Sequence, residues 1–124
     1  MKAVSNEIIR AATCGLRKQG GNIMIARIWH GVTMAEKGES FYGYIRKTGA
    51  KTYSEAGGNK GIYILRRYSD NKAEFLLISL WDSIESIKQF AGEDYHKAYY
   101  PFPEDREYLI ELEDEVRHFE VLEV

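Results

Sequence analysis

Residues 23–32, Ile-Met-Ile-Ala-Arg-Ile-Trp-His-Gly-Val, carry apolar side chains at both parities, the pattern of a strand covered on two faces. Such a strand needs a partner layer on each side. Thr33-Met34-Ala35-Glu36 has the spacing of a capping box and predicts a helix start, with Phe41, Tyr44, Ile45 and Thr48 as its apolar face. Gly38, Gly43 and Gly49 each weaken a helix interior by about 1 kcal/mol, so packing must hold it. Gly57-Gly58-Asn59 ends it.

Strands are expected over 62–67 and 74–81, joined by the polar turn Ser69-Asp70-Asn71-Lys72. Asp82 with Glu85 repeats the capping logic, and Ile84, Ile87 and Phe90 or Ala91 form the inner face of a second helix ending at Gly92. Residues 94–103 pack aromatics and a histidine between turn signals. Residues 104–115 are acidic with a short apolar face of Tyr108, Leu109 and Leu112, and 116–124 alternate as a last strand. The order is βαββαβ, an α+β, ferredoxin-like layer of sheet with both helices on one face. Its other face is left bare, with Ile25, Trp29 and their neighbours expected on it, which predicts a homodimer.

At 124 residues the chain holds one such domain over 23–124, preceded by an extension over 1–22. That extension reads as an amphipathic helix with Ile8, Ile9, Ala12 and Leu16 on one side. Gln19-Gly20-Gly21 can be encoded by a purine-rich ribosome-binding site, which makes Met24 a candidate start of translation. Arg10, Arg17 and Lys18 do not precede an apolar run as in a secretory signal. No stretch approaches the roughly 20 apolar residues of a membrane span. The one cysteine, Cys14, leaves no internal disulfide and suits a reducing, cytoplasmic setting. A net charge of -2 gives no field for nucleic acid.

Met-Ile-Ala-Arg-Ile-Trp-His-Gly over 24–31, Gly-Ile-Tyr-Ile-Leu-Arg-Arg over 61–67, Leu-Leu-Ile-Ser-Leu-Trp-Asp-Ser over 76–83, Phe-Ala-Gly-Glu-Asp over 90–94 and His-Phe-Glu-Val-Leu over 118–122 resemble the antibiotic biosynthesis monooxygenase domain. That family belongs to the dimeric α/β-barrel class. The resemblance covers 24–124 and implies a ferredoxin-like dimer; its motifs speak for architecture more than for activity. Haem-degrading relatives use an Asn, a Trp and a His where this chain has Ala26, Phe90 and Tyr100, which speaks against haem cleavage.

Members that oxidise polycyclic phenols work without a cofactor. Triplet oxygen reacts slowly with closed-shell organics, so the substrate must become an electron-rich anion in a dry, apolar pocket with a proton acceptor. The resemblance therefore implies a small aromatic or quinol-type substrate. Candidate wall residues are Phe41, Tyr44, Trp81 and Phe90, and candidate polar groups are Arg27, Tyr95, Tyr99 and Tyr100. His30 and His96 are the candidate bases, since imidazole titrates near neutrality. His30 shares parity with Met24, Ala26 and Ile28, and reaches the pocket rim if that side faces the helices. Arg27 has the opposite parity and either anchors an anionic substrate or pairs with a carboxylate at the dimer face.

The histidines are widely spaced with no cysteine partner, and the acidic run lacks calcium-loop spacing, so no metal site is expected. No nucleotide or flavin fingerprint is present, so no cofactor is expected. The rival reading is a non-catalytic, small-molecule-binding or stress-associated dimer.

Overall fold

A computed structural model describes residues 23–124. The extension, with its expected helix and Cys14, lies outside the described residues. The elements are β1 (Ile25–Met34), a 3-10 turn (Ala35–Lys37), α1 (Gly38–Lys47), α2 (Gly49–Ser54), β2 (Asn59–Ser69), β3 (Lys72–Trp81), α3 (Ile84–Ala91), α4 (Pro103–Tyr108), β4 (Leu109–Glu111) and β5 (Arg117–Glu120). The sheet runs β2-β3-β1-β4, with β5 also on β1.

β1 and β3 pair antiparallel along their whole length, from Ile25 opposite Trp81 to Met34 opposite Lys72. β2 and β3 form a hairpin longer than the sequence pattern suggests, closed by Asp70-Asn71 with Asp70 in the left-handed region (φ 55°). The last strand, expected over 116–124, is only β5, and a further short strand, β4, forms at Leu109–Glu111 within the acidic segment before it. β4 meets β1 at Val32 and Thr33, and β5 meets it from Ile25 to Ile28. Between them residues 114–116 turn aside to bond the 96–98 segment, through Ala98 N–H on Asp114 O and Val116 N–H on His96 O, both 2.8 Å.

Three helix boundaries differ from expectation. Thr33 does not cap a helix; it continues β1 opposite Ala73, fully buried, and its hydroxyl donates to the Met34 carbonyl (2.9 Å). Ladder pairing on both sides outweighs a local cap there. The helical region breaks into α1 and α2 at Thr48 (φ -112°, ψ -91°), whose hydroxyl donates to the Tyr44 carbonyl (2.9 Å) just before Gly49. At α3 the cap is Ser83, not Asp82: Ser83 Oγ accepts from the Ser86 amide (3.1 Å), while Asp82 accepts from the hydroxyls of Ser83 and Ser86. α3 ends as expected at Gly92, left-handed at φ 87°.

The odd parity of β1 faces the helices. Ile25, Arg27, Trp29 and Thr33 are buried there, with Ala73, Phe75, Leu77, Ser79 and Trp81 of β3 beside them. Gly31 lies under the Trp29 indole, where any Cβ would overlap the ring. This overturns two expectations: Ile25 and Trp29 are not on the bare face, and His30 does not share the helix-covered side. The bare face instead carries Ala26, Ile28, Val32, Leu76 and Ile78, half-buried, with Leu65 (46 % exposed) and Phe119 (52 % exposed) at its flanks.

Candidate functional site

Between the sheet and its helices lies a cavity of about 330 Å³, at the lower end of the range for small-molecule sites. Arg27, Trp29 and Leu77 of the sheet form its floor. Phe41, Tyr44, Ile45 and Thr48 come from the apolar stripe of α1, and the break at Thr48 brings Gly49, Thr52 and Tyr53 of α2 to the same wall. Phe90 and Ala91 end α3 against it, and the 99–102 segment, Asp105 and Leu109 close the remaining side.

The walls are braced by ring contacts. Phe41 meets Phe75 edge-on at 4.9 Å, Trp29 at 6.2 Å and Tyr108 at 5.4 Å, and Tyr53 meets Phe90 edge-on at 4.9 Å. Trp29 Nε1 donates to Tyr100 Oη (3.1 Å), which donates on to the Glu113 carbonyl (2.8 Å). Both ends of the Tyr100 hydroxyl are therefore occupied. Burial is the main influence raising its pKa above the ordinary phenol range.

Two polar groupings interrupt the apolar lining. In the first, Tyr44 Oη donates to Asp105 Oδ1 (2.6 Å), while Asp105 Oδ2 accepts from the Phe102 amide (3.2 Å) at the start of α4. Burial first, then the bond to Asp105, drives the Tyr44 hydroxyl far above its usual pKa, so it stays protonated.

The second centres on Arg27, only 2 % exposed. Its Nε–H donates to Tyr53 Oη (3.3 Å), and Nη1 donates to the Tyr95 carbonyl (2.5 Å) and to His118 Nε2 (3.0 Å). A guanidinium only donates, so His118 Nε2 accepts and its hydrogen sits on Nδ1, a buried atom without a hydrogen-bond partner. Burial, then the charge of Arg27, then that of His96 hold His118 down at about 4, so it is neutral at pH 7.

Of the residues expected at a site, the structure brings Arg27, Phe41, Tyr44, Phe90, Tyr99 and Tyr100 to the cavity. Trp81 is not part of the lining. It is fully buried behind Tyr53 and Phe90, with its indole N–H on Ser79 Oγ (2.9 Å). Tyr95 contributes its carbonyl to Arg27 while its ring lies against His96 and His118. His96 is exposed beside those rings and does not line the cavity.

His30 projects from the opposite face of the sheet, between Glu113 (Nδ1 to Oε2, 2.5 Å) and Glu74 (Nε2 to Oε2, 2.7 Å). Burial lowers its pKa, but the bonds and charges of Glu113 and Glu74 outweigh that and raise it. Tyr53, Trp29, Thr52 and Asp105 line the cavity without having been singled out. A carboxylate three residues after Phe102, in the capping position of a helix that starts at Pro103, is the one signal that sets Asp105 apart from the acidic run around it. Among the described residues no group of three or more His, Cys, Asp or Glu side chains is placed to hold a metal ion.

No protein-family model matches the sequence, and no curated protein does. Among solved structures, a conserved protein from Methanosarcina mazei Go1 superposes with a TM-score of 0.59 at 18 % identity, over 84 % of this chain and 97 % of its own. A candidate antibiotic biosynthesis monooxygenase from Bacillus cereus superposes with a TM-score of 0.54 at 17 % identity, over 82 % of this chain and 96 % of its own. At these identities the likeness is one of fold. It is the ferredoxin-like α+β fold of the monooxygenase-type structure, as the sequence motifs imply.

Proposed function

We propose that the chain takes a small planar aromatic or quinol-type molecule into the cavity beneath its helices and oxidises it with molecular oxygen, without a cofactor. The cavity itself carries this reading: about 330 Å³ walled by Trp29, Phe41, Tyr44, Tyr53, Phe90 and Tyr100, with few polar atoms. Apolar walls exclude water from a reactive anion, and flat side chains hold flat rings. When a ring methylene becomes a carbonyl, one oxygen atom of O2 enters the product and the other leaves as water. The substrate supplies all the electrons, so no reductant is required.

The proton leaving the substrate needs an acceptor at the cavity, and Asp105 with Tyr44 is the carboxylate-bearing group there. Oxygen uptake with a panel of hydroquinones and anthrones tests this. Turnover that falls about a hundredfold or more in Asp105→Asn, the size expected for loss of a proton-transfer group, and is unchanged in His30→Ala supports it. No oxygen uptake with any member of the panel removes the enzymatic reading.

A second reading is favoured by one observation: both Asp105 oxygens are already engaged, and neither His30 nor His96 lines the cavity. In that case the protein binds the aromatic without turning it over. Quenching of Trp29 fluorescence by ligand, with no oxygen consumed, is its signature. In either case we propose that two copies pair through the bare sheet face, because Ile28, Ile78, Leu76, Leu65 and Phe119 leave apolar surface on it beside the His30, Glu74 and Glu113 cluster.

A further inference from the structure

Arg27 is a buried cation in a mostly apolar place, and such charges ordinarily have a counter-ion. Here its acceptors are neutral: a phenol oxygen, a peptide carbonyl and an imidazole nitrogen. No carboxylate among the described residues lies within ion-pair distance of it. Three of its five N–H hydrogens are engaged, and the two on Nη2 have no acceptor among those residues. The residue nevertheless lines the cavity. Tyr53 Oη, which also lines it, accepts from Arg27 Nε and has its own hydrogen left to donate.

We infer that the Arg27 Nη2 group and the Tyr53 hydroxyl receive the carboxylate of a planar aromatic acid, which supplies the negative charge that this guanidinium lacks. The inference rests on the reading of the cavity as an aromatic site and names the substrate class for it. A carboxylate fits better than a phenol at this position because it arrives ionised and needs no base. The cavity's own carboxylate, Asp105, is held by Tyr44 and Phe102. Two carboxylate oxygens also match the donors on offer, and a charge-assisted pair is stronger than a neutral one. His118 serves as a positioning residue: as a neutral acceptor it fixes one edge of the guanidinium without neutralising it.

The test compares naphthoate with naphthamide, which has nearly the same shape and no charge, by calorimetry and Trp29 quenching at neutral pH. Naphthoate is expected to bind about tenfold more tightly or better, as a charge-assisted contact to a buried partner implies. Arg27→Gln is expected to abolish the preference, and Tyr53→Phe to reduce it. Equal affinities in the wild type overturn the inference while leaving the aromatic site intact, as does a preference that survives in folded Arg27→Gln. Binding of neither compound overturns the cavity reading beneath it. If Arg27→Gln does not fold, Tyr53→Phe decides in its place: a preference unchanged in that variant overturns the inference.

Discussion

His118 connects the site to the stability of the whole fold. Its imidazole is held at about 4 against an ordinary 6.5, so in the folded chain it stays neutral through a range where the unfolded chain takes up a proton. With the folded pKa depressed for a base, the folded state binds fewer protons between pH 6.5 and about 4. Stability is therefore complete above pH 6.5 and falls as the pH drops through that window. A shift of that size corresponds to about 3 kcal/mol at full strength. The ring is only partly buried, and solvent screening reduces this to about 1.5 kcal/mol. His118→Gln places an amide oxygen near the Nε2 position, keeps an acceptor for Arg27 and removes the titration. Urea unfolding of both proteins at pH 7 and pH 4.5 measures the difference. The wild type is expected to lose about 1.5 kcal/mol more than the variant on acidification, and the His118 ring to titrate well below its ordinary 6.5 by NMR. A ring titrating above 6, or identical pH profiles for the two proteins, refutes the reasoning.

His30 has the opposite sign. Its pKa is raised by Glu113 and Glu74, so its contribution is full below pH 6.5 and lost as the pH rises through the raised value; His30→Gln is expected to flatten that alkaline limb of the stability profile in urea titrations. Phe41, 2 % exposed among Trp29, Phe75 and Tyr108, is expected to cost about 3–5 kcal/mol when cut to alanine, and a loss under 1 kcal/mol contradicts its place in the core. Light scattering should give a dimer mass for the wild type and a monomer mass for the Leu65→Glu, Phe119→Glu double variant; a monomeric wild type at micromolar concentration counts against pairing through the sheet.

Local chemistry was legible wherever one short segment settles it. The α1 stripe of Phe41, Tyr44 and Ile45, the Asp70-Asn71 turn and the stop at Gly92 follow from spacing and backbone preference. The break at Thr48-Gly49 was not, because a hydroxyl bonding back to the preceding turn leaves the apolar period intact. The strand β4 was not either, since its pairing with Val32 and Thr33 is made across the sheet and leaves no alternating pattern in the acidic segment around it.

The amino-acid order alone determined the number of layers and the βαββαβ course, because hydrophobic period and turn residues act over a few neighbours. Which side of β1 the helices cover was decided only in three dimensions. Both sides of that strand are apolar, and the buried one contains Arg27, a residue that reads as surface or interface until its partners are known. Those partners, Tyr53, Tyr95 and His118, come from distant parts of the chain and meet only when the sheet closes. A guanidinium is tolerated in an apolar interior when such acceptors converge on it, and that convergence sends Arg27 to the cavity and His30 to the opposite face.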